Sequence, residues 1–345
     1  MNDIYKFLFD KYVKKYVGND FWDSISTYKK LPEQFIEKYY VNFRDAGDNI
    51  FIYQNLSEHF IEKYANDDDW NNVARFQKLS EQFIEKHMDK INWEYISRYQ
   101  KLSEQFIEKY SDKINWCTIS VHQKLSEQFI EKYIDKLDCY AVSSYQKLTE
   151  NFIEKYSDKI EWNEISENQK ISEQFIEKYF DKINWNNISK YQILSEHFIE
   201  KYQKYVNWDN ISESQKLSEQ FIEKHRECIN WNYISRCQKL SEKFIKKNAG
   251  KLAWKDILGY QIISEKFMEK YPNIIIWNII TLSQKLSEKF IEKYKNNIIE
   301  YKNNIIKNKY IQITKKICSI LNIDYQIIFM VQYIKKYKDI KLIFF

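Results

Sequence analysis

Between Gln100 and Gln123 the chain reads QKLSEQFIEKYSDKINWCTISVHQ, and this stretch decides the fold. Leu102, Phe106, Ile107 and Tyr110 share one face of an α-helix, while no alternation of period two supports a strand. Ser103 and Glu104 mark the start, because a carboxylate in the first turn complements the positive end of the helix dipole. Asn115, directly before Trp116, has the short polar side chain that caps a second helix. In that helix Trp116 and Ile119 lie on one face. The spacing predicts a first helix of about eleven residues ending near DKIN, and a second reading W-x-x-I-S-x-x-Q-K of about nine.

Outward from this stretch the same pattern recurs. Its leading residue falls at Leu31, Leu56, Leu79, Leu102, Leu125, Leu148, Ile171, Leu194, Leu217, Leu240, Ile263 and Leu286, with a first interval of 25 and every later one of 23. The fifth position is Phe in all twelve copies, and the sixth is Ile except for Met268. The second position is Ser or Thr except for Pro32, read as the first helical residue, where proline is tolerated. All ten tryptophans occupy one slot, from Trp22 to Trp277. A near-constant Gln, such as Gln100, Gln146 and Gln238, ends each second helix. Its amide is expected to bond terminal helix carbonyls, which lack intrahelical partners, or to form a ladder along the array.

Helices this short are marginal alone in water, so each must bury its apolar stripe against the next copy. The expected fold is therefore all-α: an α-solenoid of about twelve two-helix repeats of 23 residues, winding into a superhelix with helical caps. Residues 1–30 read as an N-terminal helical cap and first half-repeat, and 31–294 as the tandem repeats. Residues 295–345 read as a Lys- and Ile-rich tail forming a helical cap, with the apolar KLIFF at its end. The copy between Leu31 and Leu56 carries the insertion, no Trp, and Gly47.

Composition narrows the function classes. Only 4 glycines and 2 prolines leave little material for phosphate-cradling loops or glycine-cornered hairpins. The 54 basic and 49 acidic residues alternate along the chain instead of gathering in a block, unlike the concentrated stripe of most nucleic-acid binders. Cys117, Cys139, Cys228, Cys237 and Cys318 form no CxxC pair, which points to a reducing compartment. The N-terminus lacks the continuous apolar core and cleavage site of a signal peptide, and no apolar run reaches the roughly 18 residues of a membrane helix. An intracellular, cytoplasmic location follows as the expectation.

No residue stands out as catalytic. The tryptophans resemble a ligand-stacking ladder, but Ile or Val at i+3 assigns them to the core. Cys139 occupies a Trp slot as a small core substitute. His59 and His197 replace a Gln, His87 and His225 replace a Tyr, and His122 takes an aromatic slot. No metal-ligand spacing results, and no cofactor is expected. The EKY carboxylates recur in every copy as a solvated face with charge ladders between copies, without the paired asymmetry of acid–base catalysis. The tunable surface is the row five residues after Trp, where Arg75, Arg98, Glu167, Lys190, Glu213 and Arg236 are the candidate binding residues. The next slot is often aromatic, as at Tyr28, Tyr53, Phe76, Tyr99, Tyr145, Tyr191 and Tyr260.

QKLSEQFIEKYSDKINW (100–116) and ISRYQKLSEQFIEKY (96–110) resemble the short tandem repeats of giant DNA viruses related to mimivirus, over residues 22–294. The resemblance implies a repeat architecture and engagement of host proteins, and implies no particular activity. The expected function is a non-enzymatic scaffold binding a protein along one face of the solenoid, with no membrane association. The alternatives are a single-stranded RNA-binding helical repeat and a structural particle component. RNA binding requires basic and aromatic residues lined up together, and Glu167 and Glu213 in the row argue against it.

Overall fold

The computed structural model describes residues 19–28, 30–45 and 50–326, and these form helices and turns with no strand. The expectations for Gly47, for the first 17 residues and for the KLIFF end lie outside the described residues. The chain divides into two compact blocks, 1–169 and 170–345. Each is an α-solenoid of the 23-residue repeat, as the sequence predicts.

In each repeat the first helix is shorter than the periodicity implies. It runs for six residues in the copy Glu104–Lys109, and the rest of the expected length is a turn in which Lys113 and Ile114 N–H both donate to Tyr110 O. The turn extends the apolar stripe, so that Ile114 is buried as Phe106 and Ile107 are. The helix begins one residue later than expected: Ser103 is the N-cap, and its hydroxyl accepts from Phe106 N–H at 3.1 Å. Pro32 likewise sits at the cap, and the first helical residue is Glu33.

The second helix is seven residues, Trp116–His122, with Gln123 as its C-cap. Asn92, Asn115, Asn184, Asn207 and Asn230 cap their second helices as expected, each side chain accepting from backbone N–H groups of the first turn. Within each block successive second helices are direct neighbours. Their approach is set by the small residue after Ile. Ser97 is fully buried, donates to Trp93 O at 2.7 Å and accepts from Asn115 N–H of the next repeat at 3.2 Å.

Glutamine fastens one repeat to the one before it. Gln123 donates through Nε2 to Ser97 O at 2.8 Å and Gln100 O at 2.7 Å, and its Oε1 accepts from Leu102 N–H at 3.1 Å. In the second block Gln238 repeats this pattern with Ser212 O, Gln215 O and Leu217 N–H. Both expectations for Gln are met at once, since the carbonyls it reaches belong to the preceding repeat. The first helices are joined differently. Glu104 accepts from the backbone N–H and, at 3.0 Å, from the hydroxyl of Ser126, the N-cap of the following repeat.

The repeat also continues past its last obvious copy. Thr314 caps Lys315–Leu321, and Ile317 and Cys318 fill the Phe and Ile slots. Asn308 stands in for Gln, donating to Thr281 O at 3.0 Å and Gln284 O at 2.9 Å. From Leu286 to Ile313 the interval is 27 instead of 23, which hides this copy from a fixed-period reading.

Candidate binding edge

The second helices end at the aromatic slot, and the Gln cap that follows turns inward. The residues flanking Gln are therefore left along one edge. In the first block Tyr53, Phe76, Tyr99 and Tyr145 are exposed there, at 42, 43, 38 and 61%. Arg75 and Arg98 are exposed beside them. The Arg75 guanidinium lies 5.0 Å from the Phe76 ring centre and 5.4 Å from that of Tyr99 in the next repeat. Arg98 lies 5.4 Å from Tyr99 and also faces His122, whose pKa is held below the usual imidazole range by desolvation first and the Arg98 charge second. Cation and ring thus alternate from Phe76 to His122.

A further set of cations on this edge escaped the sequence reading. The residue after Gln is Lys at 78, 101, 124 and 147, exposed in each case. Lys30, in the same slot, shows the placement: its Nζ donates at 2.7 Å to the carbonyl of Tyr53. The near-constant QKL triplet was the available signal. Unlike the lysines of the first helices, these have no carboxylate partner among the described residues. Lysines of the first helices pair with Glu of the preceding repeat, as Lys109 does with Glu85 at 2.7 Å and Lys132 with Glu108. Among the described residues Arg75, Arg98, Lys78, Lys101, Lys124 and Lys147 form no such ion pair. Carboxylates enter the edge of this block at Glu164, which accepts from Ser144 Oγ at 2.8 Å, and at half-buried Glu167.

The second block carries a different edge. Lys190 lies 5.2 Å from the centre of the Tyr191 ring, and Arg236 pairs with Glu213 at 3.4 Å. Here the slot after Gln holds Ile193 and Ile262, exposed at 93 and 74%, among the exposed Lys170, Lys216, Lys239 and Lys285. Tyr260 and Leu282 add exposed apolar surface. Arg236, Lys239, Tyr260 and Ile262 line one shallow depression between adjacent repeats.

The other sequence candidates have structural surroundings. Trp22 and Trp70 are buried, but the remaining tryptophans are half-buried, a departure from a pure core assignment. Trp93 packs against Phe106 and Tyr110 of the next repeat, with ring centres at 6.2 and 5.1 Å, and Lys113 covers its outer face at 5.8 Å. Trp116 Nε1 donates to Ser111 O at 3.0 Å. Cys139 fills its Trp slot half-buried, and burial pushes its thiol pKa up, opposite to the shift of a reactive thiolate. His87 and His225 fill the Tyr slot, their rings tilted against Trp70 and Trp208 with centres at 4.8 and 5.0 Å. Among the described residues no three His, Cys, Asp or Glu side chains converge as metal ligands would, and no helix is long and apolar enough to cross a membrane. No protein-family model, curated protein or solved structure matches this chain.

Proposed function

We propose that the chain is a non-enzymatic repeat scaffold that binds a protein partner along the edge formed by the C-terminal ends of its second helices. The observation that carries this is the exposed apolar surface of the second block. Tyr260 at 64% and Ile262 at 74% lie together, with Leu282 at 48% one repeat on and Ile193 at 93% three repeats earlier, on a fold whose repeating Phe and Ile slots are buried. Clustered exposed apolar side chains with a polar surround mark protein contact sites, and aromatic and Arg residues are the usual anchors. Tyr260 and Arg236 supply both beside Ile262. The carboxylates of the first helices are engaged by neighbouring repeats, which supports a structural use for them over acid–base chemistry. Action in the cytoplasm, against a host protein, is the form of this proposal that the resemblance to giant-virus repeats favours.

The test is affinity capture from lysate, with nuclease, comparing the parent chain with the double variant Ile193→Lys, Ile262→Lys. Lys is the residue most repeats carry at this slot, so the fold is expected to be retained. A nuclease-resistant partner that the double variant loses supports the scaffold. Recovery of the same proteins by both chains would remove the apolar edge from the account.

A further inference from the structure

On the equivalent edge of the first block the slot after Gln holds no apolar residue. We propose that the edge from Tyr53 to Lys147 binds single-stranded nucleic acid, with exposed rings stacking on bases and the flanking cations tracking the phosphates. This stands independently of the apolar edge of the second block.

Three observations carry it. First, the rings are exposed and periodic: Tyr53, Phe76, Tyr99 and Tyr145 recur in the same slot, with His122 between the last two. Second, cations accompany the rings. Arg75 spans Phe76 and Tyr99, Arg98 lies against Tyr99, and an exposed Lys follows Gln77, Gln100, Gln123 and Gln146, while Lys30 bonds the carbonyl of Tyr53. Third, these cations form no ion pair among the described residues, while the lysines of the first helices, such as Lys109, Lys132 and Lys155, are matched to carboxylates. Side-by-side helices lie about 8–10 Å apart, so the edge presents a ring and a cation at that regular pitch. A polymer with a flat ring and a negative charge in every residue fits this regularity. Base stacking on aromatic side chains tolerates any sequence, and a basic groove supplies the electrostatic part. An acidic peptide would satisfy the cations and leave the ring faces unused. Glu167 lies beyond Tyr145 and Glu213 belongs to the second block, while Glu164, the carboxylate placed on this stretch of the edge, is at its Tyr145 end and accepts from Ser144 Oγ.

The experiment is fluorescence anisotropy on the full chain at low salt. Three labelled probes of about fifteen units, enough for several repeats, are compared: oligo(dU), oligo(rU), and a sugar–phosphate chain of the same charge without bases. The expected result is binding of at least one oligonucleotide, weakened by salt, with the base-free chain roughly tenfold weaker. Tyr99→Ala is expected to lower oligonucleotide affinity roughly tenfold and leave the base-free chain unaffected. The double variant Arg75→Ala, Arg98→Ala should weaken both, and Lys190→Ala in the second block should change neither. Circular dichroism confirms that each variant keeps its helices. No oligonucleotide binding would overturn the proposal. So would equal affinity for the base-free chain, or a poly-glutamate peptide that competes as tightly, since either would mean attraction to any polyanion.

Discussion

Gln146 donates both of its side-chain hydrogen bonds to the preceding repeat, to Ser120 O and Gln123 O at 2.8 Å each, and accepts from Leu125 N–H at the start of its own repeat at 3.0 Å. Gln146→Leu keeps the volume but strands two buried carbonyls and an amide. A buried polar group left unpaired costs about 1–3 kcal/mol, so a loss of about 3 kcal/mol or more in urea-denaturation stability is expected, with the helices retained. An unchanged midpoint would refute the clasp. His87 and His225 give a second residue-scale prediction. Each is held below the ordinary imidazole pKa, first by burial among the rings of its repeat. The folded state therefore disfavours the protonated form. Stability is full above the unfolded value of about 6.5 and falls as the unfolded chain takes up protons below it. Replacing both by Tyr, the usual occupant of the slot, should flatten the fall in melting temperature between about pH 7.5 and 5.5. An unaltered pH profile would show that these histidines do not govern it. The constancy of Gln made its importance legible in the sequence, while the identity of the carbonyls it reaches required knowing which repeat packs on which.

At the scale of the element, six- and seven-residue helices gain little from their own backbone. Caps shared between repeats compensate. Ser126 caps Phe129 N–H at 3.2 Å while Glu104 of the preceding repeat grips both its amide and its hydroxyl. Ser126→Ala should cost about 1 kcal/mol as a lost cap. A double-mutant cycle with Glu104→Gln should reveal coupling of about 0.5 kcal/mol or more. Additive single effects would mean that the clasp is a bystander. Glu at the third position reads from sequence as a helix-dipole residue, and that role is compatible with the observed geometry. Its longer reach, to the next repeat's cap, leaves no local signature. Helix length was overestimated for a related reason, because Tyr110 and Ile114 continue the apolar period through a turn that is no longer α-helical. The copy at 313–321 was missed because its slots hold Ile and Cys instead of Phe and Ile, at a stretched interval.

For the molecule as a whole, the energetics follow from neighbours. The Gln, Glu–Ser and Glu–Lys links within each block run between adjacent repeats. The fold class was readable from the 23-residue period because in such an array every repeat restates the same packing problem. The candidate edge was only half readable. Arg75, Arg98 and the aromatic slot stood out by varying, but the lysines after Gln were hidden by their constancy. Their exposure is fixed only once Gln is seen to cap the helix and turn inward. Their lack of carboxylate partners emerges only when the first-helix lysines are seen to be paired.

The most direct test of the nearest-neighbour account is urea unfolding of a chain lacking residues 125–147, one full repeat, so that Lys124 joins Leu148 in register. The deletion leaves every clasp with an equivalent partner. The account predicts a folded helical protein with a single-repeat reduction in stability and in the denaturant dependence of unfolding. Loss of the cooperative transition on removing this one in-register repeat would contradict it.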